Sequence, residues 1–121
     1  MSKVDISDAQ ASDFSDFGCN LPFVRVRAFT GRVDGKIIGI GGVTFSPDGT
    51  RIAFCELSDE ARNHKFALHR IGLRTIALAR ELKINELLAV ADDHAASERW
   101  LERLGFKPFL VNGIKVYKWL I

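Results

Sequence analysis

Apolar and polar residues alternate with a period of two through much of the first half of the chain, which is typical of half-buried β-strands. Asp34-Gly35 separates two such stretches and is a favoured two-residue hairpin turn, because both positions tolerate a positive φ. A further turn at residues 46–50 contains Pro47 and Gly49. The pattern predicts an antiparallel meander of three strands, over residues 23–33, 36–45 and 51–58.

The apolar period changes to about 3.6 residues after Ser58, which predicts a long amphipathic helix. It begins between Ser58 and Asn63 and ends near Ile84. Gly72 lies within it and is expected to ease packing against the sheet. The predicted apolar stripe of this helix consists of Phe66, Ile71, Leu73, Ile76, Leu78, Ala79 and Leu82.

The last third of the chain combines strands with a second helix. A short, nearly continuous apolar run at residues 86–92 predicts a strand that is buried on both faces. Residues 95–104 predict a helix with Gly105 as its C-terminal cap. Asn112-Gly113 is a second hairpin signal, and it separates two predicted final strands over residues 107–111 and 114–120.

Residues 1–22 form a short N-terminal segment in which Ser, Asp and Ala are interleaved. This segment predicts a short helix with Ser7 as its N-cap and with Asp8 and Asp13 exposed. The whole element order predicts a single domain over residues 1–121. Its expected class is an α/β fold with a mixed, mostly antiparallel central sheet flanked by helices.

The composition is that of a soluble globular protein, since 47% of the residues are hydrophobic and 26% are charged. No apolar stretch approaches about 18 residues, so neither a membrane-spanning helix nor a membrane partner is expected. The N-terminus lacks an apolar signal-peptide region, which indicates a cytoplasmic protein. Cys19 and Cys55 are therefore expected to be free thiols, and the lack of paired Cys or His spacings predicts no metal site.

Basic residues concentrate in the predicted long helix, where residues 61–83 contain six Lys and Arg against one Glu. Two interpretations stay open for this segment: a solvated helix face, or a surface that attracts an anionic ligand such as a phosphate group. Arg25, Arg27 and Arg32 lie among aromatic residues. Strand alternation accounts for these arginines, so no nucleic-acid partner is expected.

The run AASERWLERLGFKP, which contains Leu104, Gly105 and Phe106, resembles the fourth-helix signature of the GNAT superfamily, the acyl-CoA-dependent N-acetyltransferases. GRVDGKIIGIGG resembles the second and third strands of that family, and the element order over residues 24–121 is similar as well. KFALHR followed by RWLERLGF also resembles small GNAT-like proteins of tailed bacteriophages. The resemblance implies a GNAT-like fold and an N-acetyltransferase that uses acetyl-CoA and an amine acceptor.

The resemblance further implies a pyrophosphate-binding site at the start of the long helix. The Gly-rich loop of the family would fall at residues 63–68, where this sequence has no glycine, so binding would depend on backbone amides. Leu57 or Ser58 is expected to polarise the thioester carbonyl through its amide. The segment 62–68 is expected to hold the pyrophosphate, and its candidate binding residues are Arg62, Asn63, His64, Lys65 and Phe66.

Glu56 ends the third strand of the meander, where the resemblance implies a general base that deprotonates the amine. An exposed carboxylate paired with an arginine is the alternative for this residue. His64 and His69 are expected to lie at a helix start or on the surface, and a role as a base is the alternative for either residue. For His69, packing beside Trp100 is a further alternative. The tyrosine that protonates the departing thiolate in many relatives is replaced by Leu101, and the one tyrosine, Tyr117, lies on the last strand. Two functions therefore stay open: a small N-acetyltransferase, or a catalytically degenerate binding or assembly protein of the same fold.

Two further expectations concern aromatic residues. Trp100 is expected to be largely buried between its helix and the sheet. The C-terminal strand ends in Trp119, Leu120 and Ile121, and neither of its faces is purely polar. A homodimer or larger assembly through residues 107–121 is therefore expected, unless helices of the same chain cover this strand.

Overall fold

The computed structural model describes residues 4–18, 25–89 and 95–120. Cys19, the end of the strand predicted at residues 86–92, and the C-terminal Ile121 lie outside this part of the chain. The side chains of Arg62, of residues 95–98 and of Leu120 also lie outside it.

Ten helices and strands make up the described part of the chain, together with a 3-10 turn over Asp59–Asn63. In chain order they are β1 (Val4–Asp8), α1 (Ala11–Asp16), β2 (Arg25–Val33), β3 (Lys36–Phe45), β4 (Arg51–Leu57), α2 (Lys65–Glu81), β5 (Glu86–Ala89), α3 (Ala95–Leu104), β6 (Lys107–Val111) and β7 (Ile114–Leu120).

The strands form one sheet in the order β1-β2-β3-β4-β5-β7-β6. All neighbouring strands are antiparallel except β4 and β5, which are parallel and are connected through α2. The predicted hairpin turns are confirmed, because Asp34 and Asn112 adopt positive φ angles of 51° and the glycines that follow them adopt 82° and 81°. The predicted mixed, mostly antiparallel sheet flanked by helices is therefore confirmed.

The N-terminal prediction was wrong in two respects. Val4–Asp8 form an edge strand paired with β2, so Ser7 lies in a strand opposite Thr30 and caps no helix. The helix begins later, at Ala11, and Asp13 in its first turn is 3% exposed, although the sequence pattern predicts an exposed side chain. The pairing of β1 with a distant strand is what decides this segment, and no local signal reports that pairing.

Asp13 is buried because a set of donors surrounds it. It accepts hydrogen bonds from the backbone N–H of Gln10 (2.9 Å), from Oγ1 of Thr30 (2.9 Å) and from the guanidinium of Arg32. Burial alone would raise the pKa of Asp13, but these hydrogen bonds and the positive charge of Arg32 hold it below its ordinary value. The cluster joins α1 to β2 and thereby fixes the helix on its side of the sheet.

Asp13→Ala is expected to lower the free energy of unfolding by about 1–3 kcal/mol at neutral pH, because it leaves buried donors unpaired. A carboxylate with a depressed pKa stabilises the fold above its unfolded pKa of about 3.9, and the contribution disappears as pH falls through the lower folded value. Urea unfolding at neutral pH and at progressively lower pH measures both effects. Asp16→Ala, an exposed position on the same helix, is the control, and equal losses in the two variants would contradict the burial of Asp13.

Helix α2 packs on the sheet through part of its predicted stripe. Ile71, Ile76, Leu78 and Ala79 are buried. Three other predicted members, Phe66, Leu73 and Leu82, are exposed, with Phe66 at 91%. The stripe predicted from the sequence is wider than the surface that the sheet covers.

Gly72 allows α3 to approach α2 closely. A Cβ atom at this position would lie 2.8 Å from Cδ1 of Leu104 and 3.2 Å from Cζ2 of Trp100. The expectation that Gly72 eases packing against the sheet was therefore wrong, because the close neighbours belong to α3. Trp100 is half-buried at this helix–helix contact, where the sequence analysis predicts a largely buried ring.

The C-terminal strand is covered by the same chain. Tyr117 and Trp119 belong to the main hydrophobic cluster, together with α2 residues Ile76 and Ala79, and Trp119 is 7% exposed. Trp119 is therefore a core residue, and Trp119→Lys would disturb folding rather than report an interface. Assembly through residues 107–121 stays a prediction, and the exposed apolar side chains available to it are Leu110, Val111 and Ile114.

Candidate active site between β4 and β5

The pairing between the parallel strands β4 and β5, among the described residues, lies near the start of β4. Their described pairing consists of Ile52 opposite Leu88, whereas β3 pairs with β4 along its whole length, up to Gly39 opposite Leu57. The edge of β4 that faces β5 therefore has backbone groups without a ladder partner, among the described residues, toward its C-terminal end. Such an edge offers N–H and C=O groups to a ligand.

The register of β4 determines which amides face this edge. Ser58 donates its backbone N–H to the carbonyl oxygen of Ile38 at 2.9 Å, on the β3 side. Because inward and outward groups alternate in an antiparallel pair, the N–H groups of Leu57 and Cys55 point away from β3, toward the edge of β4 that faces β5. Of the two amides predicted to polarise a carbonyl, that of Ser58 is thus already engaged, and that of Leu57 faces the open edge.

A cavity of about 520 Å³ lies beside the open edge of β4, between this strand and helices α2 and α3. Its size is in the range of small-molecule sites. The lining is mostly apolar. Glu56, near the end of β4, contributes a carboxylate, and Trp100 on α3 contributes an indole N–H group. The described residues that line it are Gly41, Ile52, Ala53, Phe54, Cys55, Glu56, Leu57, Ile71, Gly72, Thr75, Ile76, Ala89, Trp100, Leu101, Leu104 and Phe106.

The N-terminus of α2 lies next to the C-terminal end of β4. Side chains of Leu57 and Leu68 both approach Gly39, within 2.9 Å and 4.0 Å of where its Cβ would be, so the strand end and the first turn of the helix are adjacent. Leu68 is the first residue whose N–H bonds within the helix, to the oxygen of His64 at 3.1 Å. The amides of residues 65–67 therefore have no acceptor within the helix and carry its positive dipole end.

The residues predicted to hold pyrophosphate surround this helix start. Asn63 ends the 3-10 turn, and His64 is the N-cap of α2 with a half-buried side chain. Lys65 and Phe66 form the first turn and are exposed. The backbone at Arg62 belongs to the 3-10 turn that leads into the helix. The predicted segment thus lies next to the C-terminal end of β4.

Glu56 lies on the face of the sheet opposite α2. Cys55 faces α2, since its Sγ is 3.4 Å from the Cβ position of Gly41, where Ile71 also packs. The Phe54 ring lies 6.4 Å from that of Phe14 in α1, on the other face, and Glu56 shares this face because side chains alternate along a strand. Glu56 is exposed and borders the cavity. A carboxylate on the α1 face thus borders a cavity on the α2 face at this end of β4.

Cys55 is not a nucleophile in this site. Its burial, and secondarily the negative charge of Glu56, raise the pKa of its thiol to about 12. A thiol with this pKa stays protonated at neutral pH, and the thiolate is the reactive form. The surroundings of Cys55 therefore do not activate its thiol as a nucleophile.

Trp100 also lines the cavity, whereas the sequence predicts it only as a core residue. The sequence contains a glycine in one predicted helix and a tryptophan in the next. This combination indicates a close helix–helix contact only once the two helices are known to touch. Among the residues that the structure describes, no group of three or more His, Cys, Asp or Glu side chains could hold a metal ion. Nor does any helix in this part have the length and apolar character needed to cross a membrane.

Comparison with known proteins identifies the fold. No family model matches the sequence, and no curated protein matches it. Solved structures do match. An N-acetyltransferase from Staphylococcus aureus superposes with a TM-score of 0.77 at 15% identity, over 98% of this chain and 99% of that chain. A ribosomal-protein alanine N-acetyltransferase from Escherichia coli gives a TM-score of 0.71 at 14% identity, over 96% and 91%.

A third neighbour was solved with its cofactor acetyl-CoA. It is a candidate acetyltransferase from Salmonella typhimurium, with a TM-score of 0.70 at 16% identity over 97% of this chain and 93% of that chain. At such identities a structural likeness identifies the fold and leaves the activity open. This chain has the fold of the GNAT acetyltransferases.

Proposed function

We propose that the protein is an acetyltransferase that transfers an acetyl group from acetyl-CoA to an amine. The observation that carries this proposal is the cavity between β4, α2 and α3, with the free amides at the start of α2 near the C-terminal end of β4. An amphiphilic ligand with an anionic head and a long, uncharged arm matches such a site. CoA has this chemistry, and it fits the residues present.

The anionic head fits the start of α2. Backbone amides of residues 65–67 supply hydrogen bonds that do not depend on side-chain identity, which compensates for the missing glycines. Lys65 adds a positive charge, and Arg62, Asn63, His64 and Phe66 flank it in the chain. The uncharged arm fits the apolar cavity, where the amides of Cys55 and Leu57 offer strand-like hydrogen bonds.

When bound, acetyl-CoA supplies an activated acyl group as a thioester. Glu56 accepts a proton from the acceptor amine on the α1 face, which makes the nitrogen nucleophilic. The N–H of Leu57 donates a hydrogen bond at the open edge and stabilises negative charge that develops there. Cys55 stays protonated and does not compete as an acyl acceptor.

Lys65→Glu is expected to weaken acetyl-CoA binding about tenfold at low salt, because it replaces an attractive charge by a repulsive one beside the helix start. The weakening should shrink as salt is raised. Lys107→Glu is the matched control, because it makes the same change in net charge at an exposed position of β6. This strand lies at the edge of the sheet, separated from β5 by β7. Calorimetric titration of both variants tests the position of the head group, and equal affinities would contradict it.

Turnover is the direct test of the proposed reaction. The protein is incubated with acetyl-CoA and a panel of amines, including small amines, lysine side chains and peptide N-termini, and release of the CoA thiol is followed. The expected result is thiol release that requires both an amine and Glu56, with acetylated amine detected by mass spectrometry. Release without any acetylated product would contradict the proposal.

A catalytically degenerate binding or assembly protein is the second candidate. It is favoured by the absence of glycine at residues 63–68 and by Leu101 at the position where many relatives have a tyrosine. This alternative predicts either CoA binding without amine-dependent turnover, or no CoA binding at all. The turnover assay and the titration together therefore separate the two candidates.

A further inference from the structure

Three side-chain polar atoms in the described residues are buried without a hydrogen-bond partner: Oγ of Ser58, Nδ1 of His69 and Nε1 of Trp100. Unpaired buried groups of this kind are rare in folded proteins, and each requires an explanation. Trp100 is the member of this set that lines the cavity. Its indole N–H is a donor only, so the partner it lacks is an acceptor.

The indole ring packs at the contact between α2 and α3. Its Cζ2 atom, which is next to the carbon that carries the N–H group, lies 3.2 Å from the Cβ position of Gly72. Any larger residue at Gly72 would push the ring or Leu104 away. The nitrogen edge of the ring therefore lies at the helix–helix contact that forms one wall of the cavity.

The other polar side chains of the cavity wall do not compete for this role. Thr75 donates its hydroxyl to the backbone oxygen of Ile71 at 2.9 Å, within its own helix. Cys55 is a weak donor, and Glu56 is an acceptor at the far face of the strand. Among the described lining residues, Trp100 is the strong side-chain donor that the fold leaves unused.

We propose that Trp100 is a ligand-binding residue, whose indole N–H donates a hydrogen bond to a carbonyl oxygen of the uncharged CoA arm. This inference rests on the proposed function. An apolar cavity excludes a charged acceptor, so the acceptor is an amide or thioester oxygen. The nitrogen is covered in the free protein, and binding includes a small reorientation of the half-buried ring toward the cavity.

His69 is the competing explanation for the unpaired indole. It lies one turn before Gly72 on the same face of α2, and its buried Nδ1 also lacks a partner. A direct Trp100–His69 hydrogen bond would leave nothing for a ligand. A double-mutant cycle decides between the two, because changes in melting temperature add when the two residues do not interact.

The test uses two variants of Trp100. Trp100→Phe removes the donor, and benzothienylalanine at position 100 keeps the shape of the ring while replacing N–H by sulfur. Both are expected to raise the Kd for acetyl-CoA about tenfold, the size of one hydrogen bond. The benzothienylalanine protein should melt at or above the wild-type temperature, because an unpaired donor has been removed. Trp119→Phe, a core tryptophan outside the cavity lining, should leave the Kd unchanged.

The outcomes separate this inference from the proposed function. A wild-type protein that does not bind acetyl-CoA overturns both. Wild-type binding that both Trp100 variants retain in full overturns the role of Trp100 alone, as does non-additivity of Trp100→Phe with His69→Leu. If the Trp100 variants bind acetyl-CoA and free CoA more weakly by the same factor, the acceptor is an amide oxygen of the arm. If only their affinity for acetyl-CoA falls, the acceptor is the thioester oxygen.

Discussion

Replacing Gly42 by alanine is expected to lower the free energy of unfolding by more than about 3 kcal/mol. Gly42 in β3 lies opposite Ala28 in β2. A Cβ atom there would overlap the carbonyl oxygen of Arg27 and lie 2.5 Å from Cα of Ala28. These are backbone atoms of the neighbouring strand, so no side-chain rotation relieves the overlap and the strands themselves must separate. Urea unfolding measures the loss.

Gly31→Ala is the matched control for Gly42→Ala. It adds the same methyl group to a buried glycine of the same sheet, but its nearest neighbour is a side-chain end, Cδ1 of Ile71, at 3.1 Å. A side-chain end can move, so the expected loss is below about 1.5 kcal/mol. Similar losses in the two variants would show that the close approach of β2 and β3 at Gly42 is not as described.

Glu56→Gln is expected to reduce kcat by about a hundredfold or more, the usual contribution of a positioned general base. The substitution preserves size and removes the proton acceptor, so the Kd for acetyl-CoA should not change. The defect should diminish at high pH, where a larger fraction of the amine is already deprotonated. Steady-state kinetics over a pH series measures this effect.

Glu102→Gln is the control for Glu56→Gln, since it removes an exposed carboxylate from α3 without touching the cavity lining. Its kcat should match that of the wild type. A Glu56→Gln protein with wild-type kcat at neutral pH would remove Glu56 from the reaction, while leaving acetyl-CoA binding to be judged separately.

Much of the strand order is encoded locally and could be predicted. The Asp34-Gly35 and Asn112-Gly113 turns specify their hairpins because few residues tolerate two successive positive φ angles. Gly105, with φ of 107°, ends α3 in the same way. These signals, with the change from a period of two to one of 3.6, were sufficient for the mixed sheet and its two long connections.

Other features depend on distant partners and could not be predicted. Val4–Asp8 become a strand because β2 offers them an edge, and Asp13 is buried because Thr30 and Arg32 surround it. Phe66 has the right spacing for a buried residue, but it extends beyond the surface that the sheet covers. In each case the deciding contact joins residues far apart in the chain.

The candidate site likewise combines features that the local sequence predicts with features that depend on distant contacts. The sequence pointed to Glu56 and to the start of α2, because both lie at recognisable ends of elements. It could not distinguish Leu57 from Ser58 as an amide donor, since the answer depends on the hydrogen bond between Ser58 and Ile38. Nor could it identify Trp100 as a cavity residue, because the approach of α3 to Gly72 is a tertiary contact.

Calorimetric titration of the wild-type protein with acetyl-CoA at low salt tests the central claim most directly. The proposed function predicts saturable heat with one ligand per chain and an affinity that falls as salt is added, because phosphate charges at the start of α2 contribute to binding. The absence of binding heat at ligand concentrations on the order of millimolar would contradict it, because an enzyme of this kind must bind its acyl donor in that range.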